Sequence, residues 1–204
     1  ALKKIDIEIK EGEYVSLIGP SGSGKSTLMH VIGLLDKPST GEVIINGNDI
    51  SKLDDDSTST LRSEFVGFVF QQFNLLPRFS AEQNIALPLT YRNLSPQVIK
   101  QRVVDALGRV GMKSYAAHRP TQLSGGQQQR IAIARALVGE PEVLLADEPT
   151  GSLDSATGKD IMSLFLALHN EGRTIILVTH DGHVASQCGR RITLADGQVV
   201  AELS

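Results

Sequence analysis

Short apolar runs alternate with amphipathic stretches along most of this chain. Residues 14–18, 65–70, 143–146 and 174–179 each read as a short strand. The runs at 143–146 and 174–179 are continuously apolar, the pattern of parallel strands buried on both faces with helices between them. The helices follow from the 3.6 period. Residues 28–35 predict a largely buried helix after the first strand. Ser95 as N-cap and Pro96 in the first turn open a second helix through Leu107, with Val98, Ile99, Val103, Ala106 and Leu107 apolar. Residues 128–137 form a third. Residues 155–171 form a fourth, with Ile161, Met162, Leu164, Phe165 and Leu168 on one side and Gly172 as its stop.

The remaining pattern is antiparallel. Residues 2–9 alternate like a half-exposed strand. Residues 43–45 followed by Asn46-Gly47 predict a strand and a tight turn. The tail, 191–194 and 198–200 around Asp196-Gly197, predicts a hairpin. Asp54-Asp55-Asp56-Ser57 reads as a solvated helix start, where acidic side chains meet the positive end of a helix; a metal site is the second reading. Residues 73–138 carry almost no strand signal. The expectation is one α/β domain over 1–204. Its core takes 1–72 and 139–204, with a mostly parallel sheet and an antiparallel β subdomain, and 73–138 is inserted as a helical lobe.

Composition removes several function classes. The chain has 204 residues, with 23 acidic and 20 basic side chains and no tryptophan. That near-balance offers no overall field for nucleic acid, and the few aromatics make a base-stacking surface unexpected. One cysteine, Cys188, excludes an internal disulfide and suggests a reducing compartment. No apolar run has the length of a membrane span and no signal peptide is visible. The chain begins at Ala1 without methionine, so a trimmed piece of a longer protein is expected.

Candidate chemistry centres on Gly19-Pro20-Ser21-Gly22-Ser23-Gly24-Lys25-Ser26-Thr27. It lies between a strand and a helix, the context in which G-x-x-x-x-G-K-S/T forms a phosphate loop. Gly19, Gly22 and Gly24 let the loop curl round an anion, and its N–H groups and the helix start offer positive ends to phosphate. Lys25 can add charge near the β- and γ-phosphates, and the Ser26 hydroxyl can ligate Mg²⁺. Ligands of such sheets collect beyond the carboxyl ends of the strands. There the sequence also places Gln71, Asp147-Glu148 and His180. Asp147 can hold Mg²⁺ and Glu148 can orient or deprotonate a water; a charged turn before Pro149 is the lesser alternative. Gln71 and His180 taken singly carry little. Ser124-Gly125-Gly126-Gln127 opens the third helix, a second anion-binding arrangement or an ordinary N-cap. His30, His118, His169 and His183 have no comparable context.

Together these residues resemble the ATP-binding cassette family over nearly the whole chain. The carriers are GPSGSGKST at 19–27, Gln71, LSGGQ at 123–127, VLLADEP at 143–149, SLD at 152–154 and His180. The resemblance implies a P-loop NTPase that hydrolyses ATP with Mg²⁺. Two copies would pair head to tail, Ser124 to Gln127 of one capping ATP on the phosphate loop of the other, with Asp154 at the interface. It implies Gln71 as a Mg²⁺ and water contact, Glu148 as the catalytic carboxylate and His180 as the switch histidine.

GLLDKPSTGEV at 33–43, GFVFQQFNLLPRFSAEQNIALPL at 67–89 and LSGGQQQRIAIARAL at 123–137 resemble the macrolide-exporter and lipoprotein-releasing group. That implies a motor at the cytoplasmic face of the inner membrane, driving a permease subunit or fused transmembrane domain, with no nucleic-acid partner. A cell-division relative that signals without transport would share every site residue and stays open. The family's adenine-stacking aromatic is expected upstream of Ala1, since Tyr14 reads as core. Phe73, Leu75, Leu76, Pro77 and Phe79 are expected to divide between core and membrane-subunit docking surface.

Overall fold

The computed structural model describes residues 2–203. Its main sheet has six strands in the order β4-β5-β6-β1-β7-β8: β1 (Tyr14–Ile18), β4 (Val66–Val69), β5 (Val143–Asp147), β6 (Thr174–Val178), β7 (Arg190–Ala195) and β8 (Gln198–Leu203). The first five in that order run parallel, and β8 returns antiparallel along the edge. The β7–β8 turn is Asp196-Gly197, both at positive φ as a tight primed turn requires.

Alternation within each strand feeds two cores. Val15, Leu17, Leu145, Ile176 and Val178 face one side with Leu28 and Met29 of α1 (Lys25–Ile32). Tyr14, Leu144, Ala146, Ile175 and Leu177 face the other. That second side is covered by α5 (Gly125–Leu137) and α6 (Ser155–Asn170), which contribute Ile131, Ile133, Ile161 and Phe165. Tyr14 is therefore core, as its sequence context implied, and burial raises its hydroxyl pKa. Cys188 is half-buried in the same region, and burial pushes its thiol up to about 11, so it stays a thiol near neutrality.

Between β4 and β5 the chain forms helices and turns only. The helices are α3 (Ala81–Ala86), α4 (Pro96–Arg109) and α5, each with a serine N-cap: Ser80, Ser95 and Ser124. The acidic run at 54–57 starts α2 (Asp55–Phe65), where the Asp54 carboxylate accepts from the Ser57 N–H at 2.7 Å. Among the described residues no group of three His, Cys, Asp or Glu side chains is arranged to hold a metal.

Four expectations change. Residues 2–9 alternate half-buried and exposed but pair with no strand; Ile5, Ile7 and Ile9 pack on the α1-side core without a backbone ladder. The antiparallel β subdomain is consequently one small pair, β2 (Ile44–Ile45) with β3 (Asn48–Asp49), turned by Asn46-Gly47. Helix α1 stops at Ile32, because Gly33 caps it and Leu34 turns left-handed at φ 58°. Val98 faces solvent, one step off the stripe made by Val103, Ala106 and Leu107.

Phe165 is fully buried against the sheet. Phe165→Ala is expected to lower unfolding stability by about 3–5 kcal/mol in urea titration. A loss below about 1 kcal/mol would contradict this assignment of the core.

Candidate functional site

Parallel strands bring their carboxyl ends to one edge of the sheet. The register aligns Leu17 with Val178, Asp147 with Val178, and Val69 with Ala146. Adjacent strands are about 4.8 Å apart. The segments leaving β1, β6, β5 and β4 therefore meet, and they carry loop 19–24, His180, Asp147-Glu148 and Gln71.

The loop after β1 is shaped by close approach. A Cβ on Gly19 would lie 2.1 Å from the Leu194 carbonyl oxygen, so only glycine fits. Gly22 and Gly24 have φ of 80° and 101°. The Lys25 ammonium donates to the carbonyls of Gly19 at 2.7 Å and Pro20 at 2.9 Å, which holds its charge over the loop. Gly24 caps α1 without a side-chain acceptor for the first N–H groups. Ser23 Oγ is buried without a partner. Exposed Ser26 begins the helix beside Thr27. Free helix donors, one fixed ammonium and an orphaned hydroxyl suit an anion.

Asp147 ends β5 half-buried. Burial holds its carboxyl above the usual carboxylate range, and the neighbouring Glu148 adds to this; His30 and Lys25 pull the other way. A bound cation would relieve that desolvated charge. With no all-protein metal cage among the described residues, Mg²⁺ here would rely on Asp147, Ser26 and substrate oxygens.

Glu148 sits at φ 45°, a conformation costly for a non-glycine residue that its surroundings must hold. Its backbone N–H donates to the Val178 carbonyl at 2.8 Å. Its carboxylate is held at both oxygens. Oε1 meets His180 Nδ1 at 2.6 Å and accepts from the His180 backbone N–H at 2.9 Å; Oε2 accepts from Thr179 Oγ1 at 3.1 Å. The Glu148 side chain is 17% exposed and that of His180 is 73% exposed. The acid is thus shielded while the imidazole reaches into solvent. Gln71 is anchored by its carbonyl, which accepts from Ser152 Oγ at 3.0 Å. Its side-chain amide lies so near Gly151 that a Cβ there would meet Nε2 at 2.7 Å. The loop after Glu148 and the loop after β4 are therefore in contact.

Ser124, Gly125, Gly126, Gln127 and Asp154 form a second cluster. Ser124 Oγ accepts from the Gln127 N–H, and the Gln127 side chain accepts from the Ser124 N–H. Asp154 caps α6, accepting from the N–H groups of Ala156 and Thr157 and from the Thr157 hydroxyl at 2.6 Å. These bonds hold the exposed Asp154 carboxyl below its usual range. A Cβ on Gly126 would lie 2.3 Å from the Thr157 methyl, so the two elements touch. Among the described residues no hydrogen bond joins this cluster to loop 19–27.

Two further residues bonded to the site's loops escaped the sequence reading. Thr179 closes an apolar run with a hydroxyl. Gln129 is a fully buried amide on α5 whose Nε2 donates to the Pro149 carbonyl at 2.7 Å. Thr179 is a polar residue ending an apolar run, a signal that could have found it; Gln129 lies among Gln127, Gln128 and Arg130, and nothing in the sequence sets it apart. The four histidines without an assigned role stay outside the arrangement of bonds around Glu148; His169 Nε2 lies 2.9 Å from the Gly12 carbonyl and His30 Nδ1 lies 3.4 Å from Asp36.

Known proteins similar to this chain share one family. The family described as "ABC transporter" matches residues 2–151. The chain is 47% identical over 201 residues to the uncharacterized ABC transporter ATP-binding protein YvrO of Bacillus subtilis, covering 98% of this chain and 88% of that protein. It is 49% identical to the macrolide export ATP-binding/permease protein MacB of Vibrio parahaemolyticus, covering 98% of this chain but 31% of that protein. Among solved structures it is similar to the ATP-binding cassette MJ0796, a dimer in a post-hydrolysis state bound to ADP and Pi. The TM-score is 0.89 at 48% identity, covering 100% of this chain and 90% of that one.

The raised Asp147 carboxyl sets a pH dependence. A group with a higher folded than unfolded pKa binds more protons when folded, so its ionisation lowers stability as pH rises through that interval. In EDTA, Asp147→Asn is expected to raise the melting temperature at neutral pH, with the gain closing as pH falls to about 4, the ordinary carboxylate value. An equal gain at both pH values, or a loss at neutral pH, would contradict the buried-charge account.

Proposed function

This chain belongs to the ABC transporter family, and from that premise we propose that it is the ATP-hydrolysing motor of an exporter acting on periplasmic or outer-leaflet substrates. It is an ATPase of that family. The observation that carries the mechanism is the convergence of four strand ends on the open N-terminus of α1.

Loop 19–24 and the first turn of α1 bind the phosphates of ATP through backbone N–H groups, with Lys25 at the β- and γ-phosphates. Ser26, Asp147 and Gln71 would hold Mg²⁺, which when bound would neutralise charge on the phosphate oxygens. Glu148 takes a proton from, or orients, the attacking water. Base catalysis of this kind contributes about 10²–10⁴ in rate. The Thr179 hydroxyl and His180 fix the carboxylate, and His180 contacts the γ-phosphate region from its exposed side. Ser124 to Gln127 of a second copy close the site from the opposite direction, with Asp154 beside the interface. The dimeric cassette MJ0796 and the ATP-binding/permease protein MacB support this reading.

In this reading residues 73–138 act as a helical lobe that passes closure to a membrane permease, fused or separate. Leu75 packs into the core while Leu76 and Phe79 are exposed, leaving an apolar surface for that partner. No described helix is long and apolar enough to cross a membrane, so attachment at the cytoplasmic face would run through the partner.

Glu148→Gln should bind ATP with near wild-type affinity and lose about two or more orders of magnitude in turnover. Near wild-type turnover would remove Glu148 from this role. Crosslinking the full-length parent protein in its host should recover a permease with a large extracytoplasmic domain. Recovery of a cell-division complex would replace export with signalling.

A further inference from the structure

The chain leaving Gln71 is bent back by two consecutive non-glycine residues in the left-handed region, Phe73 at φ 59° and Asn74 at φ 49°. Two tight internal bonds accompany the bend, from the Phe73 N–H to the Phe70 carbonyl at 3.2 Å and from the Asn74 N–H to the Gln72 carbonyl at 2.6 Å. Side chains rarely adopt this conformation, so a surrounding structure must hold it. The hold comes from Arg135, near the C-terminal end of α5. Its Nη2 donates to the Phe73 carbonyl at 2.8 Å and its Nη1 to the Asn74 carbonyl at 2.5 Å. The guanidinium is half-buried, and its planar fork presents two donors at fixed spacing, which a lysine ammonium does not.

Helix α5 has three attachments that matter. Ser124 caps its start, Gln129 holds the Pro149 carbonyl one residue past Glu148, and Arg135 holds the loop two residues past Gln71. A helix moves as a rod, so any rotation of α5 carries the Phe73–Asn74 carbonyls with it. Gln71 has little slack on its other side, where its carbonyl is bonded to Ser152.

We propose that Arg135 is a positioning residue for ATP hydrolysis: its paired donors set the place of the Gln71 amide and make that place depend on the orientation of α5. The inference rests on the reading of Gln71 as a Mg²⁺ and water contact. It adds a residue that touches neither nucleotide nor metal. If Arg135 only packed the helix, its loss would lower stability and leave the turnover of folded protein unchanged.

The test is a double-mutant cycle on the full-length transporter in its membrane, with thermal melting run in parallel to score the folded fraction. Arg135→Met is expected to lower kcat per folded molecule by about ten- to a hundredfold, with KM for ATP within about twofold. Arg135→Lys, the gentler variant, should lose kcat in the same direction, since one ammonium cannot serve both carbonyls. Combined with Gln71→Ala, Arg135→Met should add less than about twofold to the loss from Gln71→Ala alone, because the two act through one group. Losses that multiply while Gln71→Ala is itself impaired would overturn the role of Arg135 and leave Gln71 standing. Unchanged kcat in Gln71→Ala would overturn the reading of Gln71 and this inference with it. Activity that tracks only the folded fraction in both arginine variants would also overturn it.

Discussion

Burial of β1 on both faces is the constraint on which the rest depends. Val15 and Leu17 fill one core and Tyr14 the other, so the strand has no freedom to slide or twist. Its end is therefore a fixed point, and loop 19–24 leaves it against the Leu194 carbonyl with no room for a side chain at Gly19. A loop so placed is fixed in position at the start of α1 before any anion arrives. Electrostatic preorganisation of that kind is the largest single source of catalysis in many enzymes.

The neighbouring strands extend the same logic. Because β6, β5 and β4 lie parallel to β1 in register, the polar residue after each strand falls on one edge. The candidate site begins at or within two residues of the ends of β1, β4, β5 and β6. The costs sit at those ends: Asp147 half-buried with its carboxyl pKa raised, Glu148 at positive φ, Phe73 and Asn74 bent left-handed. The two backbone costs are held by neighbours on different elements. Thr179 and His180 hold Glu148, and Gln129 and Arg135 brace the loops from α5. Helix α5 thereby links the second cluster at Ser124 to both loops.

Much of this was legible in the sequence because it is local or periodic. The continuous apolar runs predicted the parallel sheet, Ser95 and Pro96 predicted the start of α4, and Asp196-Gly197 predicted the last hairpin. Residues 2–9 misled because a period of two records which side chains are shielded, not whether the backbone finds a partner. Gly33 stopped α1 early since a helix whose next residue turns left-handed cannot continue, and the apolar run through Leu35 hid this. Gln71 beside Gly151, and Arg135 on two carbonyls, are contacts between segments far apart in sequence. No single-chain pattern records them, and buried Gln129 is hidden the same way among Gln127, Gln128 and Arg130.

The most direct test of the account is complementation between two disabled forms. The central claim is that the edge built on β1 hydrolyses ATP only when Ser124 to Gln127 of another copy close it. Lys25→Ala disables the phosphate half and Ser124→Arg the closing half, and each alone should be inactive. A mixed dimer contains one site with both halves intact. Mixing the two purified variants should therefore restore ATP hydrolysis well above the sum of their separate rates, rising with protein concentration. A mixture no more active than that sum, with both variants folded and the wild type active, would contradict the composite site.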